Sequence, residues 1–435
     1  MKEALLTDFY QLTMLETYLK KGLTKSASFE FFVRRLPQNR NFFIAAGLEQ
    51  LLKYLQDLKF YEDELYYLKG LGFSSVLIDY LKNFSFKGDV WALPEGTIFF
   101  DNEPVVRIEA PLPQAQLIET RLINILHFQS LIATKAVRCV IAAQDKALID
   151  FGFRRSHGFE AGIFSARACY LSGFAATATV EAGRAFGIPV TGTMAHSYIL
   201  AHESEEAAFR NFIETHPKNA ILLIDTFDPL KAVHLAARLY KEYLKKGIEI
   251  KGVRIDSGDY LELSNKVRAI FDSQGAKELM IFCSGGLDEY ALKSITEKNA
   301  PIDGFGLGTL VDTSADVPYL DCAYKMVEYD GKPKMKFSKG KVTLPYKKQI
   351  IRHLNKEGNF SHDVICKAGS EPKELHSRGL LVKVMENGQL TQENEGLNVI
   401  RNRVKEQLLH LPNELKSITE HFSYNVSVCN ELKDI

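Results

Sequence analysis

Between residues 114 and 320 the chain repeats one unit: a short apolar run rich in β-branched residues, a polar turn, then a stretch with helical period. Strands that each lead into a helix pair in parallel, with the helices covering the sheet. The runs fall at 147–151, 188–193, 221–225, 251–256, 279–283 and 302–306, the fourth starting as early as residue 248. The stretch 229–246 shows the helical partner, with Leu230, Val233, Ala236, Leu239, Tyr240 and Leu244 on one stripe. Six such units in about two hundred residues suit an α/β barrel, although periodicity alone does not separate a closed barrel from an open doubly wound sheet. The polar residues favour the barrel mouth as a site: Arg154, Thr193, His196, Asp225, Arg254, Asp256, Ser284, Gly308 and Thr309 all sit at the C-terminal ends of these runs.

The flanks have another rhythm. Stretches 28–36, 88–93, 97–100 and 105–110 look like strands between Pro and Gly turns, with helices near 8–20 and 46–57. After residue 320 come strands at 336–345, 364–368 and 379–385, then a helix over 400–409. We therefore expect an irregular α/β barrel over 114–320 and an α+β companion domain formed jointly by 1–113 and 321–435.

Composition narrows the class further. With 46% hydrophobic and 25% charged residues the chain reads as a globular enzyme, which counts against disorder and a membrane protein. Its 54 basic residues balance 54 acidic ones, so no global field draws it to nucleic acid or anionic lipid, and any anion must be bound locally. Six scattered cysteines form neither a metal motif nor a disulfide framework, and the first residues show no secretory pattern. No run approaches the length of a membrane span, and a cytoplasmic location is expected.

Two consecutive late strands end in glycine-rich turns, 283–288 (CSGGLD) and 304–309 (GFGLGT). Such turns present free backbone N–H groups at which a phosphate approaches closely, or they are simply tight βα turns. Next comes VRIDSGD at 253–259, where the period of two puts Arg254 and Asp256 on one side of a strand. There an arginine clamps a carboxylate and an aspartate holds ribose hydroxyls or magnesium, unless the two merely pair with each other. His196, in GTMAHS, has small neighbours that leave its ring open for nucleophilic or base chemistry, though most histidines are structural. In DFGFRR at 150–155, Phe151 suits stacking on a heteroaromatic ring and Arg154 suits an anion; core packing of Phe151 and surface placement of Arg155 are the alternatives. TDFYQLTM at 7–14 reads as a capped helix start carrying Tyr10.

As an ordered set, TDFYQLTM, DFGFRR, GTMAHS, VRIDSGD, GFGLGT and the stretch KFSKGKVTLPYKKQ at 336–349 resemble nicotinate phosphoribosyltransferase. That family belongs to the type II phosphoribosyltransferase group, with the nicotinamide and quinolinate enzymes. The resemblance implies transfer of the phosphoribosyl group of PRPP to nicotinate, in NAD salvage, with Mg2+ present and ATP as co-substrate. It implies that Tyr10 reaches the site of a neighbouring subunit in a homodimer and faces Phe151 across the pyridine ring. Arg154, Thr193 and Arg254 would bind nicotinate; Ser284, Gly285, Gly308 and Thr309 would hold the 5′-phosphate; Asp256 would lie near the ribose. His196 would be transiently phosphorylated by ATP. Ala178 matches the position where the nicotinamide enzyme carries an aspartate, so no carboxylate there selects against the acid. The resemblance names no metal ligands.

Overall fold

The structure is a computed structural model that describes residues 2–336, 343–369 and 376–433. The chain divides into two compact units, 1–134 with 319–435, and 135–318. The first unit thus runs past the expected limit at residue 113, because the boundary falls inside one long helix, Glu119–Ala143, that the strand-and-turn reading did not mark. That helix is long and apolar enough to cross a membrane by length and composition, contrary to the expectation that no segment is. Its apolar window is 78% buried within the protein, as befits a core helix.

In the unit 135–318, six strands form a parallel sheet in the order Ala176–Thr177, Ala147–Asp150, Gly304–Leu307, Met280–Ser284, Gly252–Ile255, Ile221–Leu223. The run at 188–193 is not a strand. Pro189 lacks an amide proton and Gly192 has no side chain to pack, so pairing is reduced to one bridge, Val190 with Thr177. Among the described residues no strand pairing closes the ring between that bridge and Ile221–Leu223, which makes the barrel irregular.

Helices cover the sheet. Pro229–Leu244 starts where Asp228 accepts hydrogen bonds from the amides of Leu230 and Lys231 and Pro229 needs no donor. Of its expected stripe, Val233, Ala236, Leu239 and Tyr240 are buried, while Leu230 is half-buried and Leu244 exposed. Asp259 and Asp288 cap the helices Tyr260–Ser273 and Glu289–Glu297 in the same way. A buried ion cluster anchors the end of the long helix: Lys135 lies 2.5 Å from Glu289 and 2.7 Å from Asp316, and Arg138 Nε donates to Glu289 at 2.9 Å.

The other unit is α+β. Its seven-stranded sheet mixes strands from both chain ends: Ser26–Val33 pairs antiparallel with Val106–Pro111 on one side and Cys322–Tyr329 on the other. Asp89–Ala92 pairs with Val382–Glu386. A second sheet joins Ser377–Gly379, Lys348–Leu354, Phe360–Lys367 and Val426–Val428. Arg352 and Asp363, both fully buried, form a forked pair across this sheet, with Nη2 to Oδ2 at 2.6 Å and Nε to Oδ1 at 3.0 Å. The first helix, Phe9–Lys21, has Asp8 at its cap position, but the carboxylate accepts from Thr120 Oγ1 at 2.8 Å instead of from the helix amides. Of the strand expected at 336–345, residues 337–342 lie outside the described residues.

Candidate active site

The polar residues at the C-terminal ends of the parallel strands surround a cavity of about 560 Å³. Phe151 and Arg154 enter it from the turn after Ala147–Asp150, and Thr193 and His196 from the segment after the Val190 bridge. Arg254 and Asp256 come from the end of Gly252–Ile255. Ser284 and Gly285 follow Met280–Ser284, and Gly308 and Thr309 follow Gly304–Leu307. Tyr10 belongs to the other unit, on the helix Phe9–Lys21, with 48% of its surface exposed.

Arg254 is largely withdrawn from water, and that burial pulls its guanidinium below the ordinary range, opposed by Asp256 and Asp225. Its Nη2 donates to the carbonyl of Met194 at 2.7 Å, while the buried Nε has no hydrogen-bond partner among the described residues. An arginine donor left open in a cavity wall is a costly arrangement unless an acceptor arrives there.

Asp256 is held from three directions. Its Oδ1 accepts from Ser284 Oγ at 2.5 Å, its amide donates to Asp225 Oδ2 at 3.0 Å, and its Oδ2 lies 3.8 Å from His196 Nε2. Ser284 thus commits its hydroxyl proton to Asp256 and offers an arriving phosphate no second one. His196 Nδ1 meets Thr226 Oγ1 at 3.0 Å, which leaves Nε2 as the ring nitrogen on the Asp256 side. Asp225 also accepts from Ser257 Oγ at 2.7 Å, and its buried Oδ1 has no donor among the described residues.

Two glycines set the shape of the floor. Any Cβ at Gly306 would fall 2.5 Å from the Phe151 ring, so the ring lies directly on that strand. Gly285 has φ +97°, and a Cβ there would sit 2.4 Å from the carbonyl oxygen of Asp256. Tyr260 secures the same turn. Its hydroxyl lies 2.7 Å from the carbonyl oxygens of both Ser284 and Gly285, and burial pushes its pKa up to about 12, so it stays a donor.

Local sequence patterns did not single out Asp225, Tyr260 or Ser257 for these roles, since each acts through hydrogen bonds to a different strand end. Arg155, for which surface placement was one alternative, does line the cavity, with Nη1 3.4 Å from Thr309 Oγ1. Ala178 lines it as well.

An α/β barrel with paired glycine turns and an open arginine at its strand ends defines the class: an enzyme built to hold a phosphorylated, negatively charged substrate. The comparisons with known proteins specify which. The sequence matches the nicotinate phosphoribosyltransferase N-terminal domain over residues 5–127, the nicotinate phosphoribosyltransferase family over 146–357 and that family's C-terminal domain over 373–435. It is 42% identical over 432 residues to a nicotinate phosphoribosyltransferase of Mycobacterium tuberculosis, covering 99% of this chain and 92% of that one. It is 36% identical to the Bacillus subtilis nicotinate phosphoribosyltransferase, covering 98% and 92%. The crystal structure of human nicotinic acid phosphoribosyltransferase is similar over 99% of both chains, with a TM-score of 0.88 and 26% identity. The chain belongs to the nicotinate phosphoribosyltransferase family and is an enzyme of NAD salvage, as the ordered motifs led us to expect.

Proposed function

We propose that this cavity joins nicotinate to the ribosyl phosphate of PRPP, releasing pyrophosphate and nicotinate mononucleotide. The observation that carries the reading is the convergence of ten expected residues on one cavity around the unpartnered Nε of Arg254. Phe151 stacks on the pyridine ring, and Arg254, Thr193 and Arg154 receive its carboxylate. The backbone of Ser284, Gly285, Gly308 and Thr309 holds the 5′-phosphate. Asp256 faces the ribose.

In this arrangement the pyridine nitrogen forms a bond to ribose C1 as the bond from C1 to pyrophosphate oxygen breaks, and no proton changes hands. The enzyme's contribution is alignment of two anionic substrates and fixed positive charge near the leaving group, with little call for a strong base. Magnesium, when bound, supplies charge that offsets the departing pyrophosphate; Asp256 and Asp225 would hold it, the latter through its donorless Oδ1, a carboxylate pair of the kind this ion uses together with substrate phosphates.

ATP is the co-substrate in this reading. Its γ-phosphoryl group passes to His196, ADP departs, and the added charge orders the pyrophosphate side of the cavity. Tyr10 completes the pocket from a second copy of the chain in a homodimer, consistent with its exposure on the first helix. Among the described residues none of the six cysteines is joined in a disulfide, which supports a cytoplasmic location. Ala178 leaves the wall without a carboxylate, which favours nicotinate over nicotinamide.

The test is incubation of the full chain with nicotinate, PRPP, magnesium and ATP, following mononucleotide and pyrophosphate together. Equal yields of both are expected; pyrophosphate without mononucleotide, or neither product, overturns the assignment.

A further inference from the structure

We propose that Asp150 and Asp312 form a carboxyl latch that keeps the loop carrying Phe151 and Arg154 in register with the turn carrying Gly308 and Thr309. Both aspartates are positioning residues, and the inference rests on the reading of the site given above.

Asp150 ends the strand Ala147–Asp150 and Asp312 ends the short helix Thr309–Asp312; each is 1% exposed. Asp150 accepts from the amide of Gly152 at 2.9 Å and from Thr177 Oγ1 at 2.6 Å. Asp312 accepts from Ser156 Oγ at 2.7 Å. Its carboxyl presses so closely on Gly152 that a Cβ there would fall 2.1 Å from Asp312 Cγ. The loop from Phe151 to Ser156 is therefore pinned at both ends, by Gly152 and by Ser156, to the two acids.

The remaining oxygen, Asp312 Oδ1, is buried without a donor if both acids are ionised. One shared proton turns the juxtaposition into an O–H···O bond between the side chains. Burial, and then the charge of Asp150, lift Asp312 well above the ordinary carboxylate range, and burial lifts Asp150 too. The groups around the pair offer no cation in contact with it among the described residues. They are the hydroxyls of Ser156 and Thr177, Ser165 bonded to the Asp312 carbonyl at 3.4 Å, and the thiol of Cys169, which burial holds neutral. Arg154 and Arg155 belong to the loop itself and line the cavity.

A latch of this kind couples the two halves of the site, so its loss disturbs both substrates. Asp312→Ala removes it; Asp312→Asn keeps it, because the amide donates to Asp150 and accepts from Ser156 without a proton to lose. Asp312→Ala is expected to raise KM for nicotinate and for PRPP together, by roughly tenfold or more. Asp312→Asn is expected to stay near wild type at neutral pH and to abolish the rise of both KM values that wild type shows as alkaline pH ionises the pair. A change in one KM only, a loss in Asp312→Asn equal to that in Asp312→Ala, or an alkaline profile that Asp312→Asn leaves unchanged overturns the proposal. If Asp312→Ala fails to fold, the pH profile of Asp312→Asn decides. If wild type makes no mononucleotide, the reading of the site falls, and hydrogen exchange decides the latch. Protection at the amides of Gly152, Arg155 and Asp312 should then be lost together with rising pH in wild type and kept in Asp312→Asn; separate losses overturn it.

Discussion

Ala178 contributes a methyl group to the cavity wall, at the point where we propose that a charge decides between an acid and its amide. Ala178→Asp would set a carboxylate beside that of nicotinate, and two like charges near 4 Å repel by about 4 kcal/mol at the effective dielectric of a protein surface. We expect kcat/KM for nicotinate to fall roughly a thousandfold, with nicotinamide gaining relative to it, as measured in competition assays. His196 gives a second test at this scale: His196→Ala should abolish stimulation by ATP while PRPP and nicotinate still bind, and an unchanged ATP response rejects its assigned role. His196 was legible because it follows an apolar run that ends in something polar, whereas Ala178 was marked only by the family resemblance. The bonds that Asp225, Tyr260 and Ser284 make to other strand ends were not legible, because a hydrogen bond between strand ends that are remote in sequence leaves no local period.

Elements with a strong period were the most legible. Five of the six expected barrel strands are present within a few residues, and the helix Pro229–Leu244 is marked by both its stripe and its cap. The run at 188–193 misled because β-branched residues outweigh Pro189 in composition, whereas one missing amide decides whether a ladder forms. Ala176–Thr177 was missed because two residues carry no pattern. Strands such as Cys322–Tyr329 escaped for another reason: their burial does not alternate cleanly, so the period of two is blurred. Gly306 shows how an element sets the site. Gly306→Ala would push the Phe151 ring off its strand, and KM for nicotinate should rise roughly tenfold or more with KM for PRPP less affected. An unchanged KM would mean the ring does not seat the base.

At the level of the whole molecule, the first unit buries a second carboxyl pair. Glu103 is lifted well above its ordinary range by burial and then by the charge of Asp363, against the pull of Arg352. A folded-state pKa raised in this way means the fold holds a proton that the unfolded chain releases, so stability is present at low pH and lost as pH rises through the raised value. Glu103→Gln should flatten that alkaline loss, read as the melting temperature against pH. Breaking the ion pair of Asp363 with Arg352 by Asp363→Ala should cost about 3–5 kcal/mol in denaturant unfolding, because the buried Arg352 loses its forked carboxylate partner. The proposed sharing of Tyr10 has its own test. Mixing Tyr10→Ala with Arg254→Ala under conditions of subunit exchange should restore roughly a quarter of wild-type activity, since half the dimers then hold one intact site of two. Neither variant alone should approach that level.

The strand Gly304–Leu307 lies between Ala147–Asp150 and Met280–Ser284, although it comes last of the six in the chain. A ribosome that has released every earlier strand therefore still presents two facing open edges, each a template for pairing with another nascent chain. Synthesis of the few residues that fill this gap also delivers Gly308 and Thr309, so the two facing edges are filled and the turn proposed to hold a phosphate is supplied in the same step.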